Sequence, residues 1–389
     1  MNRLADIPLE SITNTPALVW DLKRLDNRTR ELQKFAEDLD CQLLYSMKAC
    51  SIGAVLNVVK NHVNGFSCSS LFETTLAHQI VGNLGKVHLT TPALNPTELN
   101  EYIRTTNYIS LNSLTQFERF RATLKKGADC GIRVNPELSQ LDDPRYDPCR
   151  PNSKLGVPIT EFIEYANKNA SFLKSITGIH IHTACGNRGF DVLEQQVDKL
   201  FRRLPDIFRH IDWFNLGGGY NFAKIRNRAP FVRALEQIRH AKPVDVFIEP
   251  GTAVVRDSAY LVATVIDLFK SGDQNIAVLD TTLNHMPEIM VYEFPPVVSE
   301  AHSGGKHRYT LAGATCLAGD IFGSFPFADP LEIGSRITFA KVGAYTHGQS
   351  HWFNGVNLPA IYSMESSGQI NLEGSSNFDD FKRRCAVRS

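Results

Sequence analysis

A lysine, two histidines, a run of three glycines and a glutamate stand at the ends of short apolar runs in this 389-residue sequence. Lys48 closes LLYSMK (43–48), and His180 and His182 lie in GIHIHT (178–183). Gly217, Gly218 and Gly219 follow DWFNL, and Glu249 closes VDVFIE (244–249). A lysine ending an apolar run is either a solvated edge residue or a desolvated amine able to form a Schiff base. Three glycines make either a tight loop or a string of backbone N–H groups open to an anion, with no Cβ in the way. The glutamate is either a solvated turn residue or the partner of a pyridinium nitrogen. His180 and His182 are read as alternating along their strand, so that one enters the site and the other is structural. Arg133 and Asn135, at the end of CGIRVN (130–135), either hold a neighbouring histidine or ring substituent or form a rim ion pair.

These residues need a scaffold that brings strand ends together. From Leu43, short β-prone runs alternate with amphipathic stretches: 43–48, 65–70, 86–91, 108–112, 130–135, 178–183, 212–217 and 244–249, each followed by a helical pattern. Eight strand-then-helix units over about 210 residues fit a parallel (β/α)8 barrel, whose active sites lie at the C-terminal strand ends. A doubly wound open sheet gives the same alternation, but its phosphate fingerprint after the first strand is absent. After Tyr260 the pattern changes to LVATVIDL, NIAVLD, RYTLAGATC and RITFAKVGAYT, separated by turn residues, which predicts an antiparallel β domain. The expected fold is α/β: a barrel over 21–265 and a β-rich domain over 266–389.

Composition narrows the partners. The chain carries 41 Lys+Arg against 41 Asp+Glu and is 43% hydrophobic, so it is neither disordered nor charged for nucleic acid or membrane. Its eight cysteines are scattered without a Cys-x-x-Cys pair and no export leader precedes them, so reduced thiols in a cytoplasm are expected and a metal site is not. No apolar run reaches the roughly 18 to 20 residues that span a bilayer.

A lysine, a histidine, an anion-binding turn and a carboxylate at the same end of successive strands make up a pyridoxal 5'-phosphate site. The residues also resemble the fold-type III pyridoxal-phosphate decarboxylases related to alanine racemase, ornithine decarboxylase and diaminopimelate decarboxylase, and most of all their carboxynorspermidine decarboxylase branch. The resemblance rests on MKAC around Lys48, GIRVNPELS and YDPCRPNSKLGV (131–157), GIHIHTAC (178–185), NLGGG (215–219), EPGTAVVRDSAYLVATVIDL (249–268), NHMPEIMVYEFPPVV (284–298), GATCLAGD (313–320) and FNGVNLPAI (353–361). It implies Lys48 as the Schiff-base lysine, His182 stacked on the ring, Gly217 to Gly219 and Tyr345 at the phosphate, Arg133 beside the cofactor and Glu249 at the pyridine nitrogen. It implies a homodimer with shared active sites, in which Cys316 donates a proton and Asp320 holds a substrate amine; His285 joins the substrate side. It also implies that a strand near Ala17 to Trp20 pairs into the β domain, so that residues 1–20 belong with it.

Two departures bear on the substrate. Where that branch reads HTxCE and EPGEA, this chain reads His182-Thr183-Ala184-Cys185-Gly186 and Glu249-Pro250-Gly251-Thr252-Ala253. Two acids suited to distal ammonium groups are missing, while Arg188 and Thr252 stand nearby in sequence, with His347 and His351 close to Tyr345. The expected activity is decarboxylation of an α-amino acid with an extended polar side chain and altered distal recognition. Two alternatives stay open: a racemase of the same superfamily using Tyr345, and a non-catalytic regulatory homologue.

Overall fold

The computed structural model describes residues 7–387 apart from 83, 139–142, 144, 146, 170, 183–185, 187, 188, 223, 224, 293 and 294. The chain divides into two compact units: Arg28–Ser51 with Val59–Val254, and Met1–Asn27, Ile52–Val58 and Val255–Ser389. A first strand, β1 (Ala17–Asp21), leads into helix α1 (Leu22–Asp38).

The larger unit is a closed parallel barrel. Its strands are β2 (Gln42–Ser46), β3 (Gly65–Cys68), β4 (Lys86–Thr90), β5 (Tyr108–Leu111), β6 (Asp129–Asn135), β8 (Gly178–His180), β9 (Trp213–Asn215) and β10 (Asp245–Ile248), with a two-residue β7 (Val157–Pro158) beside β6. They pair in that order and β10 closes on β2. Helices α2 (Gly53–Val59), α3 (Leu71–Val81), α4 (Leu99–Thr105), α5 (Leu114–Leu124), α6 (Ile159–Lys168), α7 (Asp191–Arg203) and α8 (Ala229–Ile238) fall one in each of the seven connections, as parallel neighbours require. Ser70 and Ser113 cap α3 and α5, each accepting a backbone N–H three residues on. Apolar faces of these helices pack on the strands, as with Phe117, Phe120 and Leu124 of α5 and Val197 and Leu200 of α7.

Inside the barrel, every second residue of a strand points to the axis. Trp213 fills the lower interior together with Leu44, Phe247 and Tyr108, and His88 lies against the rings of Tyr108 and Phe247, each at 4.3 Å between centroids. The indole is accommodated because the facing positions are glycines. A Cβ on Gly178 would lie 2.0 Å from the indole, and one on Gly131 2.5 Å from it.

The second unit is a mostly antiparallel sheet. β11 (Ala259–Ser271) is its spine, followed by β12 (Gln274–Leu279), β13 (Val297–Val298), β14 (His307–Ala312), β15 (Ile321–Phe327), β16 (Arg336–Ala340), β17 (Ala360–Met364) and β18 (Ile370–Gly374). A register shift between Val265 and Asp267 lets β11 pair with β1 and β16 along its first half and with β12 along its second. Two pairs, β1 with β17 and β12 with β14, are parallel, which short alternating runs do not reveal.

The strands stop earlier than the apolar runs suggest. β2 ends at Ser46, so Lys48 is not its last residue but the middle of a 3-10 turn, Met47–Ala49. Gly178→Ala is expected to lower stability to urea by about 2 kcal/mol or more through overpacking against Trp213; an unchanged unfolding midpoint would contradict this account of the lower barrel.

Candidate active site

Within the barrel, two-residue steps carry each strand from the packed lower interior to its C-terminal end. Trp213, Asn215 and Gly217 follow this step on β9, Gly178, His180 and His182 on β8, Gly131 and Arg133 on β6, and Phe247 and Glu249 on β10. The two histidines therefore share a face. The expectation that only one of them enters the site is corrected: positions i and i+2 of a strand point the same way. Ligand-type atoms of His180, His182 and Glu249 lie within 4.8 Å of one another.

Lys48 is exposed between buried Met47 and Ala49. Its turn is closed by the Tyr45 hydroxyl donating to the Cys50 carbonyl at 2.8 Å. It is tied to the turn after β10 by the Ser46 N–H donating to the Pro250 carbonyl at 3.2 Å, and Gly251 lies so close that a Cβ would meet the Cβ of Ala49 at 3.0 Å. Lys48 and Glu249 are thus positioned by two interlocked turns. Thr252 begins the short helix α9 (Thr252–Val255) just after them.

Glu249 is 5% exposed. One carboxylate oxygen, Oε1, accepts from Asn215 Nδ2 at 2.7 Å, and the other stands 3.7 Å from His180 Nε2. Burial pushes the Glu249 carboxyl up, while hydrogen bonds from Asn215 and Ser67 and the charges of Lys48 and Arg133 pull it back down. His180 and His182 are held well below the usual imidazole range, chiefly by burial and then by neighbouring cations. The close approach of His180 to Glu249 is therefore a contact of a neutral ring with an acid, not an ion pair. Both ring nitrogens of His180 are buried without a hydrogen-bond partner among the described residues.

The glycine turn follows directly. Gly217 and Gly219 have φ of 67° and 87°, the left-handed region that glycine tolerates. The Gly217 N–H donates to Asn215 Oδ1 at 2.8 Å and the Gly218 N–H to His182 Nδ1 at 3.3 Å. A Cβ on Gly218 would sit 2.2 Å from the Glu249 carbonyl oxygen, so the turn and the acid's backbone are in direct contact. Arg133 is buried at 8% exposure with Gly156 against its side chain. Gly186 is exposed and its N–H donates to the Gly219 carbonyl at 2.7 Å; Arg188 lies outside the described residues.

The β-rich unit carries the remaining expected residues. Cys316 is exposed, its backbone N–H donating to Asn354 Oδ1 at 3.0 Å, and Leu317 and Phe353 beside that link are each about two-fifths exposed. Asp320 is buried; it accepts the Leu283 N–H at 2.8 Å on one oxygen and the Thr315 hydroxyl at 2.6 Å on the other. His285 is fully buried, with Nδ1 3.0 Å from the Thr281 hydroxyl, and burial takes it down to about 4. Tyr345 has a left-handed backbone, φ 66°, just before the turn Thr346–Gln349. The Thr346 hydroxyl donates to Glu288 Oε1 at 2.8 Å, and burial raises that carboxyl to about 7.

Sequence reasoning did not single out Asn215, Ser67 or Glu288. The signal for the first was a fully buried asparagine in an apolar strand, which must find partners.

The model of the pyridoxal-binding domain of pyridoxal-dependent decarboxylases matches residues 22–256. The chain is 32% identical over 370 residues to the carboxynorspermidine/carboxyspermidine decarboxylase of Herminiimonas arsenicoxydans, covering 95% of this chain and 98% of that protein. It is 28% identical to the carboxyaminopropylagmatine decarboxylase of a Synechocystis species, over 98% of this chain and 96% of that one. The crystal structure of carboxynorspermidine decarboxylase from Campylobacter jejuni complexed with norspermidine superposes with a TM-score of 0.84 at 25% identity, covering 95% of this chain and all of that one. Among the described residues no helix is long and apolar enough to cross a membrane.

Glu288 gives a pH prediction. Its carboxyl titrates near 7 when folded against an ordinary 4.5, so the folded state binds the extra proton and stability falls as pH rises between those values. Glu288→Gln, which keeps an acceptor for Thr346, should match the parent at pH 4 and exceed it by about 2 kcal/mol at pH 8. Equal urea midpoints at pH 8 would contradict it.

Proposed function

The chain belongs to the pyridoxal-dependent decarboxylases and uses pyridoxal phosphate; from that premise we propose that it decarboxylates an α-amino acid with a long, polyamine-like side chain, of the carboxynorspermidine and carboxyspermidine kind. The observation that carries this reading is the convergence of Lys48, Glu249 and the Gly217 turn at the C-terminal ends of β2, β10 and β9, in a chain that matches such decarboxylases over nearly its whole length.

The donor set fits the cofactor. Lys48 offers a primary amine for its aldehyde carbon, and the left-handed glycine turn, whose Gly217 and Gly218 N–H groups are engaged by Asn215 and His182, offers its phosphate a close approach to backbone with no Cβ in the way. Glu249 offers an acceptor for its ring nitrogen, and His182 a neutral ring face. When bound, pyridoxal phosphate supplies the sink for the electron pair left behind as CO2 departs. With the group in place, Glu249 would hold its ring nitrogen, the Lys48 amine would stand at its aldehyde carbon, and the Cys316 thiol would serve as the proton donor toward Cα of the substrate.

The exposed thiol of Cys316, flanked by exposed Leu317 and Phe353, supports a homodimer in which Cys316 of one subunit serves Lys48 of the other. Asp320, whose oxygens are engaged by Leu283 and Thr315, is assigned to holding the Cys316 loop as well as to the substrate amine of the family reading. By the family resemblance Gly186 and Thr252 take the place of two acids, which supports recognition at the far end of the substrate that differs from that of carboxynorspermidine decarboxylases. The guanidino substrate named for the Synechocystis relative supports such variation among similar chains. Scattered cysteines, free among the described residues, support our reading of a cytoplasmic enzyme of polyamine biosynthesis.

The test is CO2 release from carboxynorspermidine, carboxyspermidine, diaminopimelate, ornithine, lysine and saccharopine. A carboxylated polyamine should exceed diaminopimelate and lysine in kcat/KM by about 10²-fold; comparable turnover of lysine or diaminopimelate would overturn the substrate reading. Lys48→Ala and Cys316→Ala should each lose about 10²-fold or more in kcat. Mixing the two inactive variants should restore up to about one quarter of the activity through hybrid dimers with one intact site, and no recovery would refute the shared site.

A further inference from the structure

Asn215 sits on β9 with 0% exposure, below the glycine turn and beside the acid. Its side chain touches both. The Gly217 N–H donates to Oδ1 at 2.8 Å, and since an N–H can only donate, the amide oxygen must face the turn. Nδ2 then faces Glu249 and donates to Oε1 at 2.7 Å. The second N–H of the same amide points to His88 Nδ1, at 3.5 Å, and His88 is itself fixed against Tyr108 and Phe247 in the barrel interior. With Nδ1 accepting, the proton of that neutral ring lies on Nε2.

We propose that Asn215 is a positioning residue that locks the ring-nitrogen acid Glu249 and the phosphate turn at Gly217 into one rigid unit, and that keeps Glu249 Oε1 free of a proton. The inference rests on the reading of these two groups as the ends of the pyridoxal-phosphate site. Oε1 accepts from Asn215, so a proton on Glu249 is confined to Oε2, the oxygen near His180. The ladder around the unit reinforces it. The Glu249 N–H donates to the Gly217 carbonyl at 2.8 Å, the Leu216 N–H to Phe247 at 2.8 Å and the Ile181 N–H to the Asn215 carbonyl at 2.9 Å. The backbone therefore sets the distance between the two ends, and Asn215 sets the direction of the acid and, together with Ser67, Lys48 and Arg133, its charge. Asn215→Asp keeps an oxygen for Gly217 but turns an oxygen on Glu249, and one of the two acids must then take a proton. That proton falls to Glu249, whose carboxyl burial already pushes up, so the phosphate end survives the change and the ring end loses its anion.

The test measures binding of pyridoxal phosphate, and of its analogue with carbon in place of the ring nitrogen, to the full-length apoprotein by visible absorbance. In the parent chain the cofactor should bind about 10-fold or more tighter than the analogue. In Asn215→Asp that ratio should fall to within about 2-fold, as in Glu249→Gln, because the ring nitrogen has lost its anionic partner. Asn215→Ser, too short to reach both partners, serves if the aspartate variant does not fold, and should give the same collapse. A merely structural asparagine would weaken both ligands together and leave the ratio unchanged, and that result would overturn the proposal. A parent chain that binds neither ligand, or both equally, would overturn the reading of the site and the inference with it.

Discussion

The whole site depends on one geometric constraint. In a closed parallel barrel all strands run the same way and every second residue points inward, so a polar residue two or four positions past a core residue arrives at the same rim as its counterparts on other strands. Trp213 sets the floor of this arrangement, and the glycines at 131 and 178 exist to let it do so. Above it lie Asn215, His180 and Arg133, and above those the glycine turn, His182 and Glu249. The Lys48 turn is brought to that end by its lock onto Pro250 and Gly251.

Burying Glu249 is the main electrostatic cost of this design. A carboxylate in an apolar interior favours its neutral form, which would leave it unsuited to hold a proton on another group. The hydrogen bonds from Asn215 and Ser67 and the charges of Lys48 and Arg133 oppose that tendency. His180 and His182, held neutral by the same burial, add no competing cation. The acid is therefore tuned by residues from β3, β6 and β9 and from the turn after β2, so the closed sheet contributes to the electrostatics as well as to the shape.

Much of this was legible in the sequence. The alternation of apolar runs with amphipathic stretches is dictated by parallel pairing, so all eight barrel strands, and the residues that stand near the ends of β2, β9 and β10, could be read from it. Strand ends were less legible, because a run such as LLYSMK stays apolar after the backbone has begun to turn. The misreading of His180 and His182 came from treating a spacing of two as alternation between faces. Asn215 was hidden inside the NLGGG motif, where the glycines drew the functional reading. The roles proposed for Cys316 and Asp320 rest on the family resemblance alone, and the hydrogen bonds that engage Asp320 come from residues 37 and 5 positions away in sequence. The parallel pairing of β1 with β17 joins segments more than 300 residues apart, which no local pattern encodes.

The central claim is that Lys48 holds the cofactor. The most direct measurement is borohydride reduction of the protein incubated with pyridoxal phosphate, followed by peptide mass mapping. The account predicts a single phosphopyridoxyl group on the peptide containing Met47-Lys48-Ala49. Label on a different lysine, or none at all, would contradict it.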